Sequence, residues 1–165
     1  MDRRDRPTRR VRWSFRQAQG GDVDAVRELL REYRTLVDDQ GCFEGFEEEL
    51  ARLPGEFEPP VGALLVAYLD GEPAGCVGMR PYAPGVAEIK RLYVREFARG
   101  HGIGLALVRR ALREALQAGY KRVRLDTLRT MASARKIYDE MGFKEVQSPN
   151  GSCSADVVFM ERELI

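Results

Sequence analysis

Residues 90–112 read KRLYVREFARGHGIGLALVRRAL, and within them Arg99-Gly100-His101-Gly102-Ile103-Gly104 sets three glycines in five positions. The preceding VAEIKRLYV (86–94) reads as a strand. The segment 103–118 reads as a helix, with Leu107, Val108, Ala111, Leu112, Ala115 and Leu116 on one face and Gly119 closing it. The glycines therefore sit at a strand-to-helix junction. A helix start leaves about four backbone N–H groups without partners and carries roughly half a positive charge. Glycine removes the side chains that would hold a large anion away. The junction reads as a site for phosphate oxygens. The competing reading is a flexible loop with tight helix–strand packing.

Outward from this junction the chain alternates between two periods. Trp13 to Gln17 reads as a short strand. Asp22 reads as a helix cap, ahead of Val23, Val26, Leu29, Leu30, Tyr33 and Val37 at helical spacing. FEGFEEELARL (43–53) is a second, acidic amphipathic segment, and PGEFEPPVG (54–62) is a loop by its prolines and glycines. GALLVAYL, then DGE, then PAGCVGMRPY reads as a hairpin turning at Asp70-Gly71. The Pro84-Gly85 turn joins it to the strand 86–94 as a meander. RVRLDT (122–127) alternates as a strand, residues 130–141 form a helix ended by Gly142, and FKEV and DVVFMERE are the last strands. The order β-α-α-β-β-β-α-β-α-β-β predicts an α+β protein. Its mixed sheet would have an antiparallel meander and a helical crossover to a parallel neighbour.

Composition narrows the function classes. The chain has 165 residues, 44% hydrophobic and 32% charged, with a net charge of +1. That fits one globular domain over 11–165 and makes no general case for nucleic acid. No apolar run is long enough to span a bilayer, and no signal-peptide pattern is present. Cys42, Cys76 and Cys153 are odd in number and free of CxxC spacing. They argue against a disulfide framework or zinc site and fit a reducing cytoplasm. The single histidine, His101, makes no metal site or Ser-His-Asp network by itself. Residues 1–10, rich in arginine, read as a disordered solvated tail, the alternative being an arm for an acidic partner. Asn150-Gly151-Ser152 reads as a turn.

Two common phosphate motifs are absent. There is no GxxxxGK[ST] loop. A GxGxxG fingerprint would need glycine at 105 or 107, and both are leucine. The run Arg99–Gly104 fits instead the R/Q-x-x-G-x-G/A signature of the GNAT superfamily of N-acetyltransferases. AEIKRLYV (87–94) and ASARKIYDEMGF (132–143) resemble the two neighbouring motifs of that family, so the specific likeness covers about 86–146. The resemblance implies the GNAT fold, a mixed sheet of six or seven strands with about four helices, and acetyl-coenzyme A as donor with no metal.

By that resemblance the diphosphate lies on Arg99, Gly100, His101, Gly102, Ile103, Gly104 and Leu105. The pantetheine arm runs along the backbone of Leu92, Tyr93 and Val94. Tyr138, in the AxxxYxxxGF pattern of Ala134, Tyr138, Gly142 and Phe143, would give a proton to the departing thiolate. A phenol near its reference pKa of about 10 can donate at neutral pH. A backbone N–H near Val94 would polarise the thioester carbonyl. The family often carries Asn seven residues before this tyrosine; here Met131 stands there, so Ser133 or backbone would supply that contact.

Acetyl transfer also needs a free amine. Deprotonating a lysine-like amine at neutral pH costs about 4–5 kcal/mol. A carboxylate base lowers that barrier. By the same resemblance Glu88 is the candidate, eleven residues before Arg99, where some members of the family carry their base; its strand face is expected to carry Glu88, Lys90 and Leu92. The alternatives are that Glu88 pairs with Lys90 or a cross-strand arginine, and that ordered water is the base. By the same resemblance the acceptor, a small amine or a peptide amine, would lie between the first two helices and the later loops. There Glu44, Glu47, Glu48 and Glu49 either draw in a cation or form a solvated face. Arg109, Arg110 and Arg113 read as a solvated face. No nucleic-acid or membrane partner is expected, and dimers among relatives leave a homodimer open. A silent acyl-coenzyme A sensor is the alternative function.

Overall fold

Alternation in ALLVAYL places Ala63, Leu65, Ala67 and Leu69 in one apolar cluster and Leu64 and Val66 in another. A strand buried on both faces sits inside a three-layer arrangement. The structure, a computed structural model, describes residues 10–37, 43–148 and 156–164. The readings on residues 1–9, Cys42, Cys153 and Asn150-Gly151-Ser152 lie outside them.

The elements follow the expected order: β1 (Trp13–Gln17), α1 (Gly21–Leu36), α2 (Phe46–Arg52), β2 (Ala63–Leu69), β3 (Glu72–Ala83), β4 (Val86–Val94), α3 (Ile103–Gln117), β5 (Arg122–Leu128), α4 (Ala132–Glu140), β6 (Lys144–Val146) and β7 (Val157–Glu163). All seven strands join one sheet in the order β1-β2-β3-β4-β5-β7-β6. β4 and β5 are parallel and every other pair is antiparallel. α3 and α4 cover one face through Leu107, Val108, Ala111 and Tyr138. α1 and α2 cover the other through Val26, Leu29, Leu30, Phe46 and Leu50. Burying each such leucine contributes about 1.5–3 kcal/mol.

Two features position the site. The parallel β4–β5 ladder runs only from Val86↔Arg122 to Glu88↔Arg124. Beyond it the two strands continue without pairing to each other, so the sheet opens into a splay. The second is a bulge in β4. Lys90 pairs with Gly78 and Tyr93 with Cys76, so Arg91 and Leu92 together oppose Val77. Arg91 takes φ 63°, which the left-handed region allows a non-glycine only at a cost.

The structure corrects three expectations. The bulge reverses the strand phase: Ala87 and Ile89 face the α3 layer, and so do Leu92 and Val94, while Tyr93 joins the α1 layer. Leu92 therefore does not share a face with Glu88 and Lys90. Asp22 is the second residue of α1, not its cap; Gly20 is the cap, and Asp22 accepts bonds from Arg16, Tyr68 and the Gln19 N–H. Its buried carboxylate is held well below the usual range by the Arg16 guanidinium. Leu116 is 47% exposed, so the buried face of α3 ends at Ala115.

Candidate active site

The strand-to-helix junction is built from backbone. After β4 a short 3-10 turn, Glu96–Ala98, leads to Arg99. Gly100 and Gly102 take φ 84° and 77°, conformations that glycine adopts without penalty. A side-chain carbon at either would meet no atom within 4 Å, so the concavity they face is open. The first helical bond of α3 runs from the Ala106 N–H to the Gly102 carbonyl. Among the described residues no acceptor receives the N–H groups from Gly100 to Leu105, and no side chain caps the helix. Gly104 has a different reason to lack a side chain: its Cβ would lie 2.8 Å from Ile137 Cδ1, so it lets α3 close on α4. Arg99 and His101 are exposed beside this row, and the Arg99 Nε donates to the Val94 carbonyl at 3.3 Å.

The splay holds a cavity of about 50 Å³. Ile89, Lys90, Arg91 and Leu92 of β4 form one wall, and Asp126, Thr127 and Leu128 of β5 form the other. Tyr33 and Phe43 close it from the α1 side, and Met131, Ala134 and Tyr138 from the α4 side. Tyr138 is 5% exposed, with its ring edge-on to Phe143 at 5.7 Å. Burial pushes its phenol above the ordinary value, with Tyr33 and Asp126 adding to the shift. No hydrogen bond among the described residues engages its hydroxyl. Such a phenol stays protonated through neutral pH and is free to donate into the cavity.

Charged side chains fill the α1/α2 side of the splay. The Arg91 guanidinium lies over the rings of Phe43 and Phe46 and pairs with Glu49 at 2.9 Å. Glu49 also pairs with Arg80 at 3.4 Å, and Arg80 with Glu88 at 3.0 Å. Glu88 bonds Arg124 on its other oxygen. Arg124 reaches Asp126 at 3.6 Å, and Asp126 meets Lys90 at 3.4 Å. The solvent end of the chain is Glu56, 3.4 Å from Arg80.

The expected residues separate accordingly. Leu92, Tyr93 and Val94 lie on the length of β4 whose β5-side edge is unpaired, leading to the open row from Arg99 to Leu105. Leu92 and Tyr138 line the same cavity. The Tyr93 side chain turns away; its hydroxyl donates to Glu32 at 2.9 Å, and burial pushes the phenol up to about 12. Glu88 is buried but not among the cavity's lining residues, and the cross-strand arginine pairing is realised by Arg80. Ser133 is exposed on α4 outside the cavity. Met131 is a wall: its sulfur accepts from Thr127 at 3.7 Å and Tyr33 at 3.8 Å. Of the acidic group, Glu49 is engaged by arginines while Glu44, Glu47 and Glu48 are exposed. Cys76 is a buried free thiol whose pKa burial raises to about 12, which makes it a poor nucleophile.

Asp126 and Tyr33 were not legible as site residues. The signal for Asp126 is faint: it is the one acid in RVRLDT, at a position where alternation turns it away from Leu125. Only the splay makes that position a cavity wall. Among the described residues no cluster of three or more metal-ligating side chains occurs, and no helix is long and apolar enough to cross a membrane.

Comparison with known proteins agrees with this architecture. The model of the acetyltransferase (GNAT) family matches residues 23–143. An uncharacterized N-acetyltransferase of Schizosaccharomyces pombe is 34% identical over 145 residues, covering 87% of this chain and 89% of its own. The N-acetylaspartate synthetase of Rattus norvegicus is 36% identical over 90 residues, 54% of this chain and 30% of that protein. The structure of yncA from Salmonella typhimurium, with its cofactor acetyl-CoA, superposes with a TM-score of 0.75 at 19% identity, covering 93% and 95% of the two chains.

Proposed function

The chain belongs to the acetyltransferase (GNAT) family, and from that premise we propose that it moves an acetyl group from acetyl-coenzyme A to a primary amine by direct attack in a ternary complex. The observation that carries this reading is the continuity of two surfaces. The open N–H groups from Gly100 to Leu105 lead along the unpaired β4 edge at Leu92–Val94 into the cavity that Tyr138 lines. The donor fits these residues: glycines leave room for a diphosphate, and the α3 N-terminus and Arg99 offset its charge.

The chain's own groups then have defined tasks. The N–H groups of Ile103, Gly104 and Leu105 bind phosphate oxygens, and Gly100, His101 and Gly102 extend that row. The β4 backbone aligns the pantetheine arm, and an N–H near Val94 polarises the thioester carbonyl. Tyr138 gives its proton to the departing sulfur. Glu88, engaged by two guanidiniums, acts as a positioning residue that holds Arg124 beside Asp126. The name of the rat relative, which describes an N-acetylated product, supports an amine acceptor. The free thiol of Cys76 supports a reducing compartment, the cytoplasm.

The test is release of free coenzyme A thiol with a panel of primary amines between pH 6 and 9, run beside Tyr138→Phe. The reading expects turnover that the variant loses while retaining coenzyme binding. A wild-type protein that binds acetyl-coenzyme A and acetylates no amine would instead be a sensor.

A further inference from the structure

Lys90 and Asp126 face each other across the splay at 3.4 Å, with side chains 18% and 27% exposed. Charge-assisted hydrogen bonds normally close to about 2.7–2.9 Å. This pair is loose, and both partners have capacity left. The Lys90 ammonium carries three N–H groups and has one partner among the described residues. The Asp126 carboxylate has Lys90 at 3.4 Å and Arg124 at 3.6 Å, and no tighter contact. Half-buried charges with unmet hydrogen-bonding capacity gain from a ligand that meets them. The three other cations of this network have closer partners: Arg91 is held by Glu49 at 2.9 Å, Arg80 by Glu88 at 3.0 Å, and Arg124 by the other oxygen of Glu88.

Resting on the acetyl-transfer reading, we propose that Lys90 and Asp126 form the acceptor subsite and that its ligand is a small free amino acid, bound as a zwitterion. The acceptor carboxylate meets Lys90 and its ammonium meets Asp126, so that two opposed ion pairs replace one loose pair. Tyr33, Leu92 and Met131 bound the cavity and favour an acceptor with a small side chain. An amino group delivered to Asp126 stands in the cavity that holds the Tyr138 phenol.

The step balances. The ammonium gives one proton to Asp126, which passes it to solvent. The nitrogen lone pair forms the N–C bond to the thioester carbonyl carbon, and the C–S bond breaks. The sulfur takes the Tyr138 proton, and the second proton leaving nitrogen makes up that loss. An amide, coenzyme A thiol and one proton result.

The experiment compares kcat/KM for glycine, alanine and serine with kcat/KM for their own amides, which keep the amine and lack the carboxylate. The proposal expects the free acids to be favoured at least about 10-fold, the scale of one hydrogen bond to a charged group. Lys90→Met is expected to bring that ratio near one, and Lys90→Arg to restore most of it. Asp126→Asn is expected to lower turnover of acids and amides alike while acetyl-coenzyme A still binds. Equal or greater use of the amides by the wild-type protein would overturn the proposal and leave acetyl transfer standing. An unchanged ratio in Lys90→Met would do the same. Absence of turnover on every amine would remove the transfer reading and this proposal with it.

Discussion

The two ends of the β4–β5 splay are made in opposite ways. At the α3 entrance the sequence subtracts: glycines at 100 and 102 leave open space, no side chain caps the helix, and a row of amides faces outward. At the cavity the sequence adds: Lys90, Arg91 and Asp126 line it, and Glu49, Arg80, Glu88 and Arg124 interlock with them. A diphosphate is the same in every donor, and backbone recognises it without a particular side chain. An acceptor differs from enzyme to enzyme, and charged side chains discriminate between acceptors. On the proposed reading, generic recognition is local in sequence here, while specific recognition is assembled from distant residues.

The comparison breaks if cavity substitutions disturb donor binding, or entrance substitutions disturb acceptor choice. The largest effect is expected for Tyr138→Phe. It should lower kcat by about 10²–10⁴ with the acetyl-coenzyme A Kd unchanged, as measured by single-turnover kinetics and titration. Next is Glu88→Gln, which leaves Arg124 buried with a weakened partner. A loss of about 3 kcal/mol in urea unfolding is expected, with donor affinity again unchanged. Arg99→Ala removes an exposed charge at the entrance together with its hydrogen bond to the Val94 carbonyl. It should weaken acetyl-coenzyme A about three-fold, less in high salt, without altering the preference among acceptors.

The smallest effect concerns pH. The Glu32 carboxylate is held below its ordinary range by Arg95, with Tyr93 assisting, and so ties α1 to the end of β4. A depressed carboxylate stabilises the fold above its unfolded pKa of about 4.3. That contribution is lost as pH falls through the lower folded value. Glu32 is 42% exposed on its side chain, so screening limits the contribution to no more than about 1 kcal/mol. Denaturation of wild type and Glu32→Gln should differ at pH 7 and converge as the medium is acidified below about pH 4.

The sequence carried the element order well, because each element has its own period and its own punctuation. Asp70 and Gly71 turn the hairpin with φ 49° and 84°, and Gly119 and Gly142 end their helices with φ 93° and 84°. The glycine row proposed to hold the donor was legible for the same reason: it is one contiguous loop. The cavity was not. The Arg91 bulge has no local sequence mark, since an arginine is held at positive φ by Glu49 and by the rings of Phe43 and Phe46, far away in the chain. That single residue moved Leu92 to the other face. Asp126 acquires meaning only once β4 and β5 part. Glu88 reads either as a base or as the partner of Lys90 or a cross-strand arginine, and only the fold, with Arg80 and Arg124 on its two oxygens, decides between them.

The central claim is that the amides entering α3 bind the donor's diphosphate. Calorimetric titration of acetyl-coenzyme A into the wild-type chain and Gly102→Val tests it directly. Valine at φ 77° costs about 1–2 kcal/mol of strain and projects into space that the protein leaves open. Saturable one-to-one binding by the wild type, weakened at least about 10-fold in a variant that still folds, is the predicted result. Equal affinity in the two proteins, or no binding by the wild type, would contradict it.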